Sequence, residues 1–313
     1  MADLREKISA TADTFVHYLF ASRGNELILR SFVNAVQENA GQPLVKETQV
    51  INPFNPQTFR TEKRSIIDIK AISEKNHTFV IEFQVAGHPA FAERALYYWA
   101  KTFGQQLVEG EAYKKLTPVI VIALTCFPLF PELKKLHNTF WIAAQDAPEY
   151  VFTDRLQIHT LELADEKLKQ IPAMNESLRW WLEFFHYSDK KSEAEMKFLL
   201  KNSEQGVRDA HDEYILFNQS EELRALAESR ERYLHDYNTD VLVARREGKE
   251  EGKAEGEAEG RAKTLLSILT KRFQSVPESL KARILAITDS AHLEKLVDFV
   301  LDCESLEAFS EVL

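Results

Sequence analysis

Asp68, Glu82 and Gln84 lie on two neighbouring strand-like runs and carry the clearest chemical signal in this 313-residue chain. Ser65–Ile72 reads Ser-Ile-Ile-Asp-Ile-Lys-Ala-Ile, and Phe79–Val85 reads Phe-Val-Ile-Glu-Phe-Gln-Val. Side chains alternate along a strand, so Glu82 and Gln84 share one face while Ile81, Phe83 and Val85 take the other. By the same rule Ile66, Asp68 and Lys70 share a face. The polar link Ser73–Thr78 suits a short hairpin turn, and a turn centred on Lys75 puts Asp68 directly across from Glu82. Two carboxylates facing each other in a mostly apolar sheet repel, and each is costly to desolvate. Two arrangements resolve the conflict. One is a solvated hairpin with cross-strand pairs such as Lys70 with Glu82; the other is a divalent cation held between the acids. Oxygen donors suit Mg2+ or Mn2+, and the lack of a Cys/His cluster argues against zinc.

Positioning these groups requires a sheet with helices around it. An apolar stripe at helical spacing (Phe15, Val16, Leu19, Phe20, then Ile28, Leu29, Phe32, Val33, Val36) predicts a helix over residues 11–37. A strand follows near Leu44–Ile51 and ends at Asn-Pro-Phe-Asn-Pro. After the hairpin, Gly87-His88-Pro89 breaks the chain before a helix over about 90–109. Its buried stripe is Phe91, Ala95, Trp99, Phe103 and Leu107, with Arg94, Tyr98, Lys101 and Gln105 beside it. Pro118–Cys126 is a continuous apolar run, as expected of a strand buried on both faces. Leu156–Leu163 alternates like a further strand, and the aromatic-rich Asn175–Tyr187 predicts a helix that closes the domain. The core order is helix, three strands, helix, strand. Flanked in this way, the hairpin belongs in the middle of a mixed sheet.

The composition, 44% hydrophobic, is enough for a substantial core and more than one domain. Net charge is −10, but residues 1–130 hold 14 basic and 13 acidic side chains, against 25 and 36 in residues 131–313. The acidity belongs to the C-terminal part, and the part with the paired acids is near neutral, so local potential there does not exclude DNA. Cys126 and Cys303 lie far apart with no CxxC pairing, which suggests a reducing compartment. The first residues lack the apolar core of a signal peptide, and no apolar run approaches the ~18 residues of a membrane span. The expected location is the cytoplasm.

From about Glu193 the chain becomes long, charged and helical. In residues 245–263, Gly248, Gly252, Gly256 and Gly260 recur every four residues, as do Glu247, Glu251, Glu255 and Glu259. On a helix these form a glycine stripe beside a stripe of like charge, and each glycine costs about 1 kcal/mol relative to alanine. Either a solvated spacer or a close helix–helix dimer seam fits. The final fifty residues read as a small helical module opened by Leu265, Leu266, Ile268, Leu269 and Phe273. Further helices are expected to start at Ser275 or Pro277 and at Asp289 or Ser290.

The order αβββαβ, with Asp68 on one strand and Glu82-Phe83-Gln84 on the next, resembles the PD-(D/E)XK nuclease superfamily. More narrowly, it is similar to the bacterial Rpn family of recombination-promoting nucleases and transposases. The stretches that match are Thr11–Phe20, Ser65–Ala71, Ile81–Val85 and Arg94–Gly110 with its Tyr-Tyr-Trp-Ala-Lys and Gln-Gln-Leu. They continue through Leu156–Leu163, Asp236-Tyr237-Asn238 and the Glu-Gly repeat.

This resemblance implies a restriction-endonuclease-like α/β fold with an αβββαβ core and a mixed central sheet, then a long helical region and a small all-α tail domain. The expected boundaries are a nuclease domain over 1–188, a charged helical region with the Glu-Gly linker over 189–263, and the tail over 264–313. It implies a Mg2+-dependent DNA endonuclease of low sequence specificity, with Mn2+ as a possible substitute, tied to recombination or mobile elements. Asp68 and Glu82 would be the metal-binding acids. Gln84 falls where the superfamily usually has lysine; it can hydrogen-bond but brings no charge, and Lys70 on the Asp68 face is one source of the missing cation. Asp13 matches the acid of the family's first helix, where a first-turn acid is also favoured by the helix dipole. Arg94, Tyr98, Lys101 and Gln105 are the candidate DNA-binding residues. The expected partners are DNA and a second copy, through the C-terminal helical region. A catalytically weak or inactive DNA-binding scaffold is the alternative that Gln84 raises.

Overall fold

The computed structural model describes residues 6–56, 68–85, 87 and 90–313, with the backbone alone at Asp68 and Asn238. Ser65–Ile67, His88 and Pro89 of the expected hairpin and break lie outside the described residues. Two compact units divide after Tyr233.

In the first unit, the stretch predicted as one helix forms two, α1 (Asp13–Ala21) and α2 (Glu26–Asn39). The break has a local cause. Ser22 is extended, Gly24 takes φ +97° as only glycine does easily, and Asn25 Nδ2 donates to Leu19 O at 3.0 Å, satisfying a carbonyl at the end of α1.

Strands β1 (Thr48–Val50), β2 (Asp68–Ser73) and β3 (Thr78–Gln84) run antiparallel. Helix α3 (Phe91–Gly104) then crosses back to β4 (Val119–Thr125), which pairs parallel with β3. Next come β5 (His137–Phe140), a separate exposed hairpin of β6 (Ala143–Ala144) and β7 (Ala147–Val151), and β8 (Leu156–Glu162). The six-stranded sheet has the order β1-β2-β3-β4-β8-β5, mixed as expected, with β3 and β4 at its centre. Strand β4 is buried along its whole length, which explains its unbroken apolar run.

The two faces of the sheet are covered differently. Ile69, Phe79, Ile81, Phe83, Ile122 and Leu124 bury against α1, α2, α4 (Glu176–Tyr187) and α6 (Gln205–Gln219), with α5 (Glu193–Leu199) between the last two. Val80, Val119 and Val121 meet Ala95, Trp99 and Phe103 of α3 on the opposite face. Helix α6 comes from the charged stretch, yet Val207, Ala210, Tyr214 and Phe217 bury in the main core. It crosses α2 closely at Gly206, where a Cβ would overlap the Cβ and Oγ of Ser31.

Helix α7 (Glu221–Phe273) begins in the first unit, where Arg224, Leu226 and Arg230 are buried. The second unit starts at Leu234 and continues through α8 (Glu278–Leu285), α9 (Ser290–Asp302) and α10 (Leu306–Val312). Its core gathers Ala258, Ala262, Leu265 and Leu269 of α7 with Leu280, Ile284, Leu296, Val300 and Phe309. Ala258 and Ala262 are thus the residues of the repeat that face the module, while a Cβ on any of its four glycines would meet nothing within 4 Å. Asp289 caps α9 by accepting from Ala291 N and His292 N at 2.9 and 3.1 Å.

Candidate active site

The turn of the β2–β3 hairpin is centred on Lys75, and the register pairs Asp68 with Glu82, Lys70 with Val80 and Ile72 with Thr78. Parallel pairing continues the row from Glu82 to Ala123 and Thr160, and from Gln84 to Thr125 and Glu162. Since Val80 faces α3, so do Glu82 and Gln84, at the C-terminal end of β3. Lys70 shares the strand face of Asp68; its backbone N–H donates to Asn52 Oδ1 at 2.7 Å.

Glu82 is 6% exposed. Its Oε1 accepts from Nη2 of Arg94, and the same nitrogen donates to Gln84 Oε1. Arg94 reaches the strand from the first turn of α3, with its guanidinium 5.1 Å from the centre of the Phe91 ring. Burial pushes the Glu82 carboxyl above its ordinary range, and the Arg94 guanidinium works in the opposite direction by charge and hydrogen bonding. The contact leaves two buried atoms over. Glu82 Oε2 and Arg94 Nε have no partner among the described residues.

Glu162, on the same sheet face at the end of β8, makes an instructive contrast. Its Oε2 accepts from Lys167 Nζ at 2.6 Å and from the backbone of Leu129 and Phe130 at 2.8 and 3.2 Å, while Oε1 accepts from Asn138 Nδ2 at 3.3 Å. Lys167 also donates to Phe130 O at 3.1 Å. This pair is wholly buried and complete, and it pins the loop after β4. Nothing in the periodicity of Leu156–Leu163 marked Glu162 as paired, because Lys167 lies beyond the strand. The sequence also placed Arg94 among surface DNA contacts, without its grip on Glu82 and Gln84. The signal available was its position on the polar stripe next to the buried one.

The other predicted residues are distributed along the elements around this point. Asp13 begins α1, which packs against β2 and β3. Its Oδ1 accepts from Thr14 N at 2.6 Å, and its Oδ2 from Nε of the buried Arg230 on α7 at 3.1 Å. These contacts join α1 to α7 and involve neither Glu82 nor Gln84. Tyr98 is half-buried one turn beyond Arg94, and Lys101 and Gln105 are exposed towards the end of α3. Buried His17 is pushed down to about 4 by desolvation, partly offset by Asp13.

The donors present fit a hard divalent ion. A buried carboxylate oxygen without a partner, a second acid in register across the ladder and a carboxamide oxygen two residues on are all oxygen ligands. Among the described residues no three His, Cys, Asp or Glu side chains form a metal cluster, the Asp68 side chain being outside them.

Neither the curated proteins nor the solved structures include a match to this chain. Residues 11–244 do match the PD-(D/E)XK nuclease family transposases, over a span that takes in the hairpin, α3, the whole sheet and the first half of α7. With its αβββαβ core, the acid register of β2 and β3, and a family match over most of its length, the chain belongs to the PD-(D/E)XK nuclease family transposases.

Proposed function

We propose that this chain is a Mg2+-dependent DNA endonuclease of low sequence specificity, able to use Mn2+, that acts in recombination or in mobile elements. The observation that carries the reading is Glu82, a carboxylate buried in the central strand with Oε2 unpartnered among the described residues and Asp68 in register across from it. Asp68 and Glu82 would hold the ion. When bound, it supplies Lewis-acid polarisation of phosphate and water for phosphodiester hydrolysis. Gln84 orients groups at the site by hydrogen bonding, and Arg94 brings the positive charge that glutamine lacks. Lys70 adds a cation on the Asp68 strand face, and Asp13 keeps α1 in place through Arg230. Arg94, Tyr98, Lys101 and Gln105 follow α3 as a track for the DNA backbone.

The protein works in the cytoplasm as a homodimer joined through the C-terminal helical region. Among the described residues no helix is long and apolar enough to cross a membrane.

One observation favours a second reading, a DNA-binding scaffold of weak or no activity. Gln84 stands where lysine is usual, and the nearest cation is already engaged with Glu82. Supercoiled-plasmid cleavage with Mg2+, Mn2+, Ca2+ or EDTA separates the two. The nuclease reading expects nicking with Mg2+ or Mn2+ that Asp68→Ala and Glu82→Ala abolish. Equal cleavage by wild type and both variants would overturn the assignment, and DNA binding without cleavage in any metal would establish the scaffold.

A further inference from the structure

Arg94 Nη2 occupies the point on which Glu82 Oε1 and Gln84 Oε1 converge. The two oxygens stand two residues apart on one face of β3, with Asp68 in register beside them. That is the place a cation bound by oxygen donors would take, and it is filled by a nitrogen of the protein's own guanidinium.

The contact differs from a structural ion pair in this same fold. Glu162 and Lys167 use every polar atom available. Among the described residues Glu82 and Arg94 leave Oε2 and Nε buried and unpaired, a desolvation cost that the Glu162–Lys167 pair avoids. Arg94 is 28% exposed and hangs on a long, flexible stem, so it has a way out.

Charge balance points the same way. The two acids of the register and Arg94 sum to one negative charge. A divalent ion added with Arg94 in place leaves one positive charge, confined at low dielectric with two cations side by side. With Arg94 withdrawn the ion and the two acids balance, and the planar guanidinium is free to pair with a phosphate, which it fits better than a carboxamide.

Resting on the metal-dependent reading above, we infer that Arg94 is a resident cation that exchanges with the divalent ion: it ties Glu82 to Gln84 in the metal-free chain, and ion binding releases it to a DNA phosphate. Arg94 thus couples metal loading to substrate binding.

Calorimetric titration of the full-length protein with Mn2+, without DNA, tests the exchange in wild type, Arg94→Gln, Arg94→Lys and Glu82→Gln. A charge this close to a carboxylate biases it by about 1–3 pH units, so Arg94→Gln should bind Mn2+ on the order of tenfold tighter. Arg94→Lys, which keeps the charge, should stay near wild type, and Glu82→Gln should lose binding. In a second arm, Ca2+ should strengthen binding of a short duplex by wild type, and Arg94→Gln should lose that gain. If wild type binds Mn2+ through Glu82 but a folded Arg94→Gln binds it equally or more weakly, Arg94 is a fixture of the site. The exchange then fails while the nuclease reading stands. If neither binds Mn2+ in a Glu82-dependent way, both fail.

Discussion

The Glu82 carboxylate and the Arg94 guanidinium meet through one oxygen and one nitrogen, and each keeps a buried polar atom without a partner among the described residues. Strand β3 and helix α3 supply one member each, so the pair depends on how the helix lies across the sheet. It also changes what Gln84 means. A lysine at position 84 would not enter an uncharged site; it would face Arg94.

Gln84→Lys alone should therefore cleave plasmid more slowly than wild type, because two cations would compete for Glu82. Gln84→Lys combined with Arg94→Gln should recover part of the loss, since each change compensates the other's charge. Nicking rates for the two single variants and the double variant give the coupling directly. A Gln84→Lys single variant faster than wild type would show that Arg94 does not supply the site's positive charge.

Lys167→Met should destabilise the protein by about 3–5 kcal/mol, because it leaves the Glu162 carboxylate buried and unpaired. Adding Glu162→Gln should restore much of the loss. Urea unfolding followed by tryptophan fluorescence, which reports on buried Trp181, measures both. A loss under 1 kcal/mol for the single variant would contradict the burial of the pair.

Acid should weaken the fold through His137 and His159. Asn39 Oδ1 accepts from Asn175 N at 3.2 Å, so Nδ2 is the atom 2.7 Å from His137 Nδ1, which must accept. His137 Nε2 then donates to His159 Nδ1 at 3.1 Å, and both rings are neutral. Burial, first of all, pushes both well below the ordinary 6.5; Lys135 adds to the effect at His137, and His137 adds to it at His159. The folded state therefore binds fewer protons than the unfolded chain below pH 6.5. The stabilisation is complete above that pH and is lost as pH falls towards the depressed values, by about 2 kcal/mol per imidazole at pH 5. His159→Asn should flatten the slope of urea stability between pH 7 and 5; an unchanged slope would exclude this pair as its source.

Two glycines should respond in opposite ways. Gly206→Ala forces a Cβ into Ser31, whose Oγ accepts from Trp181 Nε1 at 3.2 Å, and should cost about 1–3 kcal/mol. Gly252 has open space around it, so Gly252→Ala should strengthen its helix by about 1 kcal/mol. The larger Gly252→Leu should disrupt the proposed dimer. Sedimentation of the full-length protein, dimeric as wild type and monomeric as Gly252→Leu, checks the seam, and a monomeric wild type would remove it.

Much of the fold was legible because its signals are local. The continuous apolar run of β4, the alternation of β8 and the aromatic stripe of α4 each named their element from neighbouring residues. The break between α1 and α2 was also local, in Ser22-Arg23-Gly24-Asn25, but the apolar stripe on either side hid it. The short β5, β6 and β7 and the last helix, α10, had too few residues to show a period. That α6 packs into the main core was harder still, since Val207, Ala210, Tyr214 and Phe217 are diluted by charges and their destination lies far away in sequence.

The sequence by itself put Asp68 and Glu82 on one face of neighbouring strands, and directly opposite each other if the turn centres on Lys75. A two-residue side-chain period fixes the faces, because slipping by one residue would turn every side chain over, and the structure has the turn at Lys75. Only the tertiary structure decided that Arg94 closes on Glu82 and Gln84. Its reach depends on the depth at which Phe91 and Ala95 seat α3, and for Ala95 that is set by packing on Val80, Val119 and Val121 of two strands. Contacts made across the sheet at that distance leave no period in the chain, and so the cation at the site had to be found in the fold.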